Sequence, residues 1–271
     1  MKKNFLLALF FLISVSCLAQ KGLHIGVVGA FNSTWVLNQN NYYNLTPLNN
    51  PIVQTSEMDY RVKWGYSAGV SVGYNFKRSW GLQMDVLYNS TGQKYEDNFD
   101  GPATLQDFTV TPALDTFFPR GDNNIKVTRD ISLSYIQIPL MAKYITKEGN
   151  RAKFFMLFGP QVGIKVMNKE SMTFQDIPFT PRAPYKLNEK FKTIDFGFAI
   201  RFGTEVYATD NLFFDICLSL YAGAIDINGK VLKDLGWYSQ NDVEYQRSHN
   251  FNGGLMVGAH YLFGKRKVIL N

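Results

Sequence analysis

The chain carries only three imidazoles, His24, His249 and His260. Hydrolytic chemistry would need one of them beside a nucleophile, with a carboxylate to orient the ring. His249 lies in Ser248-His249-Asn250, but the His-x-Ser-Asn order that would set a serine against its base is absent. His24 and His260 are expected to pair with each other or with a neighbouring carboxylate, so no catalytic residue is assigned and no enzymatic activity is expected. A second polar set, Asp85, Lys143, Lys153, Gln161, Lys165, Asp195, Arg201, Glu205, Asp215 and His260, recurs at alternate positions, and Arg201 is expected to form an ion-pair hub between Asp195 and Glu205. Loop positions supply contact candidates, Tyr42, Tyr43, Phe117, Phe118, Trp237 and Tyr238. Asp97, Asn98, Asp100 and Gly101 form an oxygen-rich run whose spacing is not that of a calcium loop. No metal or cofactor is expected.

The polar set needs elements that send alternate side chains to opposite sides, and the sequence supplies eight of them. From Ile194, one face reads Ile194, Phe196, Phe198, Ile200, Phe202, Thr204 and Val206, and the other Asp195, Gly197, Ala199, Arg201, Gly203 and Glu205. This is the period-2 pattern of a strand; a helix would scatter both sets around its axis. The same alternation runs through stretches around residues 23–32, 66–76, 80–89, 135–144, 153–166, 212–221 and 251–263. The connectors are long and short in turn. Lys77 to Ser79, Thr146 to Ala152 and Ala208 to Asn211 are short, whereas loops of about 37–63, 92–130, 167–191 and 225–248 are long. Between Ile125 and Leu133 the apolar parity is odd and from Ile136 it is even, which predicts a bulge and a hairpin projecting beyond a membrane.

Alternation does not say which face is inside. A soluble lipid-binding barrel would put the aromatic face inward, whereas a transmembrane barrel puts it outward. Three features favour the membrane arrangement. The polar faces are rich in Gly, Ser and Ala, which suits a narrow interior; aromatics cluster near strand ends as in an interfacial girdle; and the connector lengths are asymmetric. The N-terminus agrees, with Lys2 and Lys3, an apolar run from Phe5 to Val15, and Cys17-Leu18-Ala19 before Gln20, the form of an export signal. A lipoprotein reading through Cys17 is weaker, because Ser14-Val15-Ser16 lacks the customary Leu. Removing 19 residues and two lysines from 271 residues with net charge +6 leaves 252 residues and +4, too mild a charge for nucleic acid. Cys217 is then the single cysteine, so no internal disulfide forms. The expected fold is an all-β, eight-stranded, antiparallel, up-and-down transmembrane β-barrel. It occupies residues 20–271 as one domain, in the outer membrane, with both termini periplasmic.

Ser134-Tyr135-Ile136-Gln137-Ile138-Pro139-Leu140, Phe154-Phe155-Met156-Leu157-Phe158-Gly159-Pro160 and Asp195-Phe196-Gly197 resemble the paired central strands of the PorT-like outer-membrane β-barrel family of Bacteroidota. The resemblance spans essentially the whole mature chain, and its motifs are structural. It implies a porin-like barrel in the cell envelope and, since one member is associated with type IX secretion, a structural, interaction or assembly role. Expected partners are outer-membrane lipid and other envelope or secretion proteins met through the loops, with no nucleic acid. The alternatives are a membrane-embedded lipid hydrolase and a soluble lipid-binding barrel.

Overall fold

The computed structural model describes residues 22–39, 42–47, 54–77, 79–99, 103–108, 116–117, 125–146, 151–174, 177–179, 190–230 and 246–263. Eight strands form the main body: β1 (Leu23–Leu37), β2 (Lys63–Tyr74), β3 (Trp80–Phe99), β4 (Ile125–Ile145), β5 (Ala152–Phe174), β6 (Ile194–Tyr207), β7 (Leu212–Gly223) and β8 (His249–Leu262). Each pairs antiparallel with its sequence neighbours, and β8 closes on β1 from Leu37↔His249 to His24↔Leu262. The ring has no free edge, the condition for strands to cross a bilayer that offers no hydrogen-bond partner. Across two of the short connectors, Lys77 N–H donates to Trp80 O at 3.1 Å and Ala208 N–H to Leu212 O at 3.0 Å. The expected export signal, residues 1–19, lies outside the described residues.

Burial follows the period-2 pattern, with the polar face inward. Asp85, Lys143, Asp195, Arg201 and Glu205 are buried, whereas Val27, Trp64, Phe154 and Ile194 are each about 60 % exposed. Such an arrangement is inverted relative to a water-soluble barrel, and a continuous exposed apolar belt of this kind requires an apolar medium. Aromatic pairs bound the belt. Trp80 against Tyr144 (5.2 Å between centroids) and Tyr261 against Phe263 (5.2 Å) mark the short-turn end, and Phe31 against Trp64 (5.0 Å) and Tyr66 against Tyr88 (6.1 Å) mark the loop end. The fold is therefore the eight-stranded transmembrane barrel, and the soluble-barrel alternative is set aside.

Three strands run on beyond the belt. β3, β4 and β5 have 20, 21 and 23 residues against 12 to 15 for the others, and β3 and β4 stay paired out to Phe99↔Ile125. A hairpin does project, but its parity switch has a different cause from the expected bulge in β4. Val127, Ile131, Leu133, Tyr135, Met141 and Ile145 are all buried, so odd-numbered residues face inward along the whole strand. The outward face of β4 changes from apolar (Ile136, Ile138, Leu140) to polar (Thr128, Asp130, Ser132) where the strand leaves the belt, while Ile131 and Leu133 stay buried inside, and the strand itself never turns over. The irregularity sits across the pair, in β5 between Lys165 and Met167. Asp59–Arg61 extends the projecting sheet on one side and Ile177–Phe179 on the other. A separate four-stranded sheet joins the first two long loops, through Gln54–Glu57, Tyr42–Pro47, Ala103–Phe108 and Thr116–Phe117.

Candidate functional site: the barrel interior and its outer cap

Near the short turns the inward side chains of β1, β7 and β8 meet. His260 Nε2 lies 2.9 Å from Asp215 Oδ2, and the His260 ring stacks on Phe213 at 4.7 Å. His24 meets both rings edge-on, 5.4 Å from Phe213 and 5.6 Å from His260. Gly26 makes room for this cluster, since a Cβ there would stand 2.3 Å from His260 Nδ1. Lys143 is paired with Glu205, which also accepts from the Tyr207 hydroxyl at 3.1 Å. Lys153 is half-buried with its ammonium 5.1 Å from the Tyr207 ring centre. Both histidines lie within a packed polar and aromatic layer, and His260 Nδ1 has no hydrogen-bond partner among the described residues.

Arg201 reaches across the interior to Asp85, which also accepts from Gln83 at 3.1 Å. The expected hub does not form. Asp195 and Arg201 are separated by about 20 Å of strand, further than two side chains reach, whereas facing walls of an eight-stranded barrel bring side chains into contact. Around these pairs pack Val28, Leu87, Met141, Ile145, Phe155, Leu157, Ala199, Cys217 and Met256. The remaining sites lie closer to the loop end. Asp195 accepts from Asn250 at 2.8 Å, Gln161 is buried with no partner for its Nε2 among the described residues, and Lys165 is half-buried and donates to Phe191 O. His249 is half-buried at the rim.

Above this layer the projecting strands and two loop segments build a cap that the sequence pattern did not show. Lys190–Lys192 runs beside Ile227–Gly229, with Lys192 N–H donating to Ile227 O at 2.7 Å and Gly229 N–H to Lys190 O at 2.8 Å. Ser248 ties the cap to β1 through its hydroxyl and Asn38 O, 3.0 Å. Inside, Glu170 bonds Arg129 Nε at 2.6 Å and is paired with Lys190, all three side chains being almost fully buried. Burial would raise the Glu170 pKa, but the charges of Lys190 and Arg129 outweigh it and hold the carboxyl at about 2. Burial pulls Lys190 down to about 8, against the opposing attraction of Glu170. Met58, Tyr95, Phe191 and Ile227 are likewise buried, and the Arg129 guanidinium stands 5.6 Å from the Tyr95 ring centre. The inward parity of Val127 to Leu133, with Arg129 in its midst, was the one sequence signal of this cap.

Of the loop candidates, Tyr42 and Tyr43 lie in the strand Tyr42–Pro47 and Phe117 in Thr116–Phe117; Phe118, Trp237 and Tyr238 lie outside the described residues. The chain is similar in fold to Neisserial surface protein A (12 % identity, covering 90 % of this chain and 98 % of that one, TM-score 0.40). It is likewise similar to OprG from Pseudomonas aeruginosa (12 %, 90 % and 97 %, TM-score 0.37). A third similarity is to the outer membrane protease OmpT from Escherichia coli (9 %, 90 % and 97 %, TM-score 0.30). No curated protein sequence matches it. The pattern of the outer membrane protein beta-barrel domain family matches residues 18–227, and with its closed ring of eight strands the chain belongs to that family.

Proposed function

We propose that this protein is a closed, filled barrel that holds its long loops as an interaction platform at the cell surface, in an envelope-assembly role of the kind the PorT-like resemblance implies. The observation that carries the reading is the division of the interior. Ion pairs and an apolar cluster fill the part within the belt, and beyond it a buried ion triad with buried Tyr95 and Phe191 beside it supports the loops. A barrel filled in this way has its exposed, variable chemistry on the loops. The short turns and both termini face the periplasm in this reading, and the capped end faces outward.

The test is crosslinking and co-purification from native envelopes. Replacing residues 103–117 by a short Gly/Ser linker should leave the heat-dependent gel migration of the barrel intact and remove specific crosslinked partners. An unchanged crosslinking pattern overturns the platform reading. A change in the lipid profile of a deletion strain, restored by the wild type but not by His260→Ala, would instead establish a lipid hydrolase.

A further inference from the structure

Beyond the belt, the outward face of the projecting sheet is charged. Among the described residues it presents five cations, Arg61, Lys63, Lys94, Lys126 and Lys169, against Asp59, Glu96 and Asp130. The acids are shared unevenly. Glu96 alone faces Lys94 Nζ at 2.6 Å, Arg61 Nε at 3.4 Å and Lys126 Nζ at 3.8 Å, and one carboxylate neutralises one cation. Lys63 is paired with Asp130 and donates to Ser132 Oγ at 2.6 Å and Ile131 O at 3.0 Å. Lys169 stands opposite Ser132 in the β4–β5 register, exposed, with no ion pair among the described residues.

The floor between these cations is bare. Gly92 is paired with Ser132, and a Cβ on Gly92 would stand 1.9 Å from Ile131 O, so this stretch of β3 carries no side chain between the lysines. Height matters as much as charge. Lys63 precedes Trp64, and Lys169 is two residues beyond Met167; Trp64 and Met167 are exposed members of the apolar belt. The cations thus begin at the edge of the belt, with exposed Val62 between Lys63 and Arg61, at the level where headgroups lie against a spanning protein, and long cationic side chains there reach anionic headgroups with their stems on the protein surface.

We infer that this face, centred on Lys94 and Lys169 over Gly92 and Ser132 and braced by the Lys63–Asp130 pair, binds the phosphate groups of the glycolipid that forms the outer leaflet. The inference rests on the outward orientation of the capped end. The occupant is a membrane lipid because the patch adjoins the belt, so acyl chains lie on Trp64 and Met167 while phosphates meet the ammonium groups. It is phosphorylated because the excess cations gain most from a multiply charged group.

The test uses purified full-length protein in zwitterionic detergent, titrated with bisphosphorylated lipid A, with the same lipid stripped of its phosphates, and with inorganic phosphate. Binding should be strongest for the phosphorylated lipid and weaken with salt. Lys169→Gln and Lys94→Gln should each weaken it about fivefold, as expected for loss of one cation near an anionic headgroup. Lys169→Arg should retain binding, and Lys77→Gln, at the opposite end of the barrel, should leave it unchanged. Heat-dependent gel migration confirms that each variant is folded. Equal binding of the stripped lipid, or full affinity in both Gln variants, overturns the inference. Inorganic phosphate binding as tightly as the lipid, with the same dependence on Lys169, overturns it in favour of a soluble-anion site. Orientation is read separately, by labelling Ser171→Cys in a Cys217→Ser background on intact cells. Phosphate-selective binding without surface labelling overturns the outer-leaflet assignment through the orientation alone.

Discussion

Glu170 shows how much depends on single side chains in a buried charge set. With Arg129 and Lys190 on either side, replacing it by Gln leaves two buried cations without a counter-charge. Glu170→Gln is expected to destabilise the cap by about 3 to 5 kcal/mol, whereas replacing all three charged residues by apolar ones of similar volume should cost far less. Urea titration followed by hydrogen exchange at Lys190–Lys192 measures both. The pH dependence has a definite sign. A carboxyl held at about 2 in the folded chain, against an ordinary 4.5, contributes stability that is fully present above 4.5 and lost as the pH falls through 2. Exchange protection of Lys190–Lys192 and Ile227–Gly229 should therefore fall over that window while protection of β7 and β8 persists. At the same scale, the histidines were readable in part: adjacent inward strands bring His24, His260 and Asp215 together. Arg201 was not, because its partner Asp85 comes from the far wall, and facing across a barrel leaves no trace in local spacing.

At the scale of elements, the alternation sets each strand's two faces, and small residues set how closely the strands and their side chains approach. Gly26 is the sharpest case, since a methyl group there meets His260 Nδ1 at 2.3 Å and Ala259 O at 2.6 Å. Gly26→Ala is expected to displace His260 from Asp215 and lower barrel stability by about 1 to 3 kcal/mol, the usual cost of overpacking. A shift in the urea midpoint measures it, and an unchanged midpoint would show that the cluster has slack. In β4 the change from odd to even apolar residues was legible, but its meaning was not. An apolar residue at an inward position reads the same as one at an outward position of a strand turned over by a bulge. Only the depth of the cap, with Ile131 and Leu133 wholly buried, distinguishes the two.

For the whole molecule, closure of eight strands leaves an interior just wide enough for side chains, and here it holds ion pairs, aromatic rings and an apolar cluster. Reconstitution into planar bilayers is expected to give no steady ion conductance, and large steady current steps from the wild type would contradict a filled interior. The cap adds a second barrier at the loop end. Its removal by Glu170→Gln should raise loop exchange and still leave the bilayer electrically silent, because the Arg201–Asp85 and Lys143–Glu205 pairs remain.

The sequence alone determined the eight strands, the two chemically distinct faces and the alternation of short and long connectors, since each is written within a few residues of itself by a period of two. Register, the partners of Arg201, Lys143 and Asp195, and the cap that joins Arg129, Glu170 and Lys190 were decided only by closure of the ring. Those contacts link residues tens of positions apart, and their geometry follows from how the walls face one another once every backbone edge is paired.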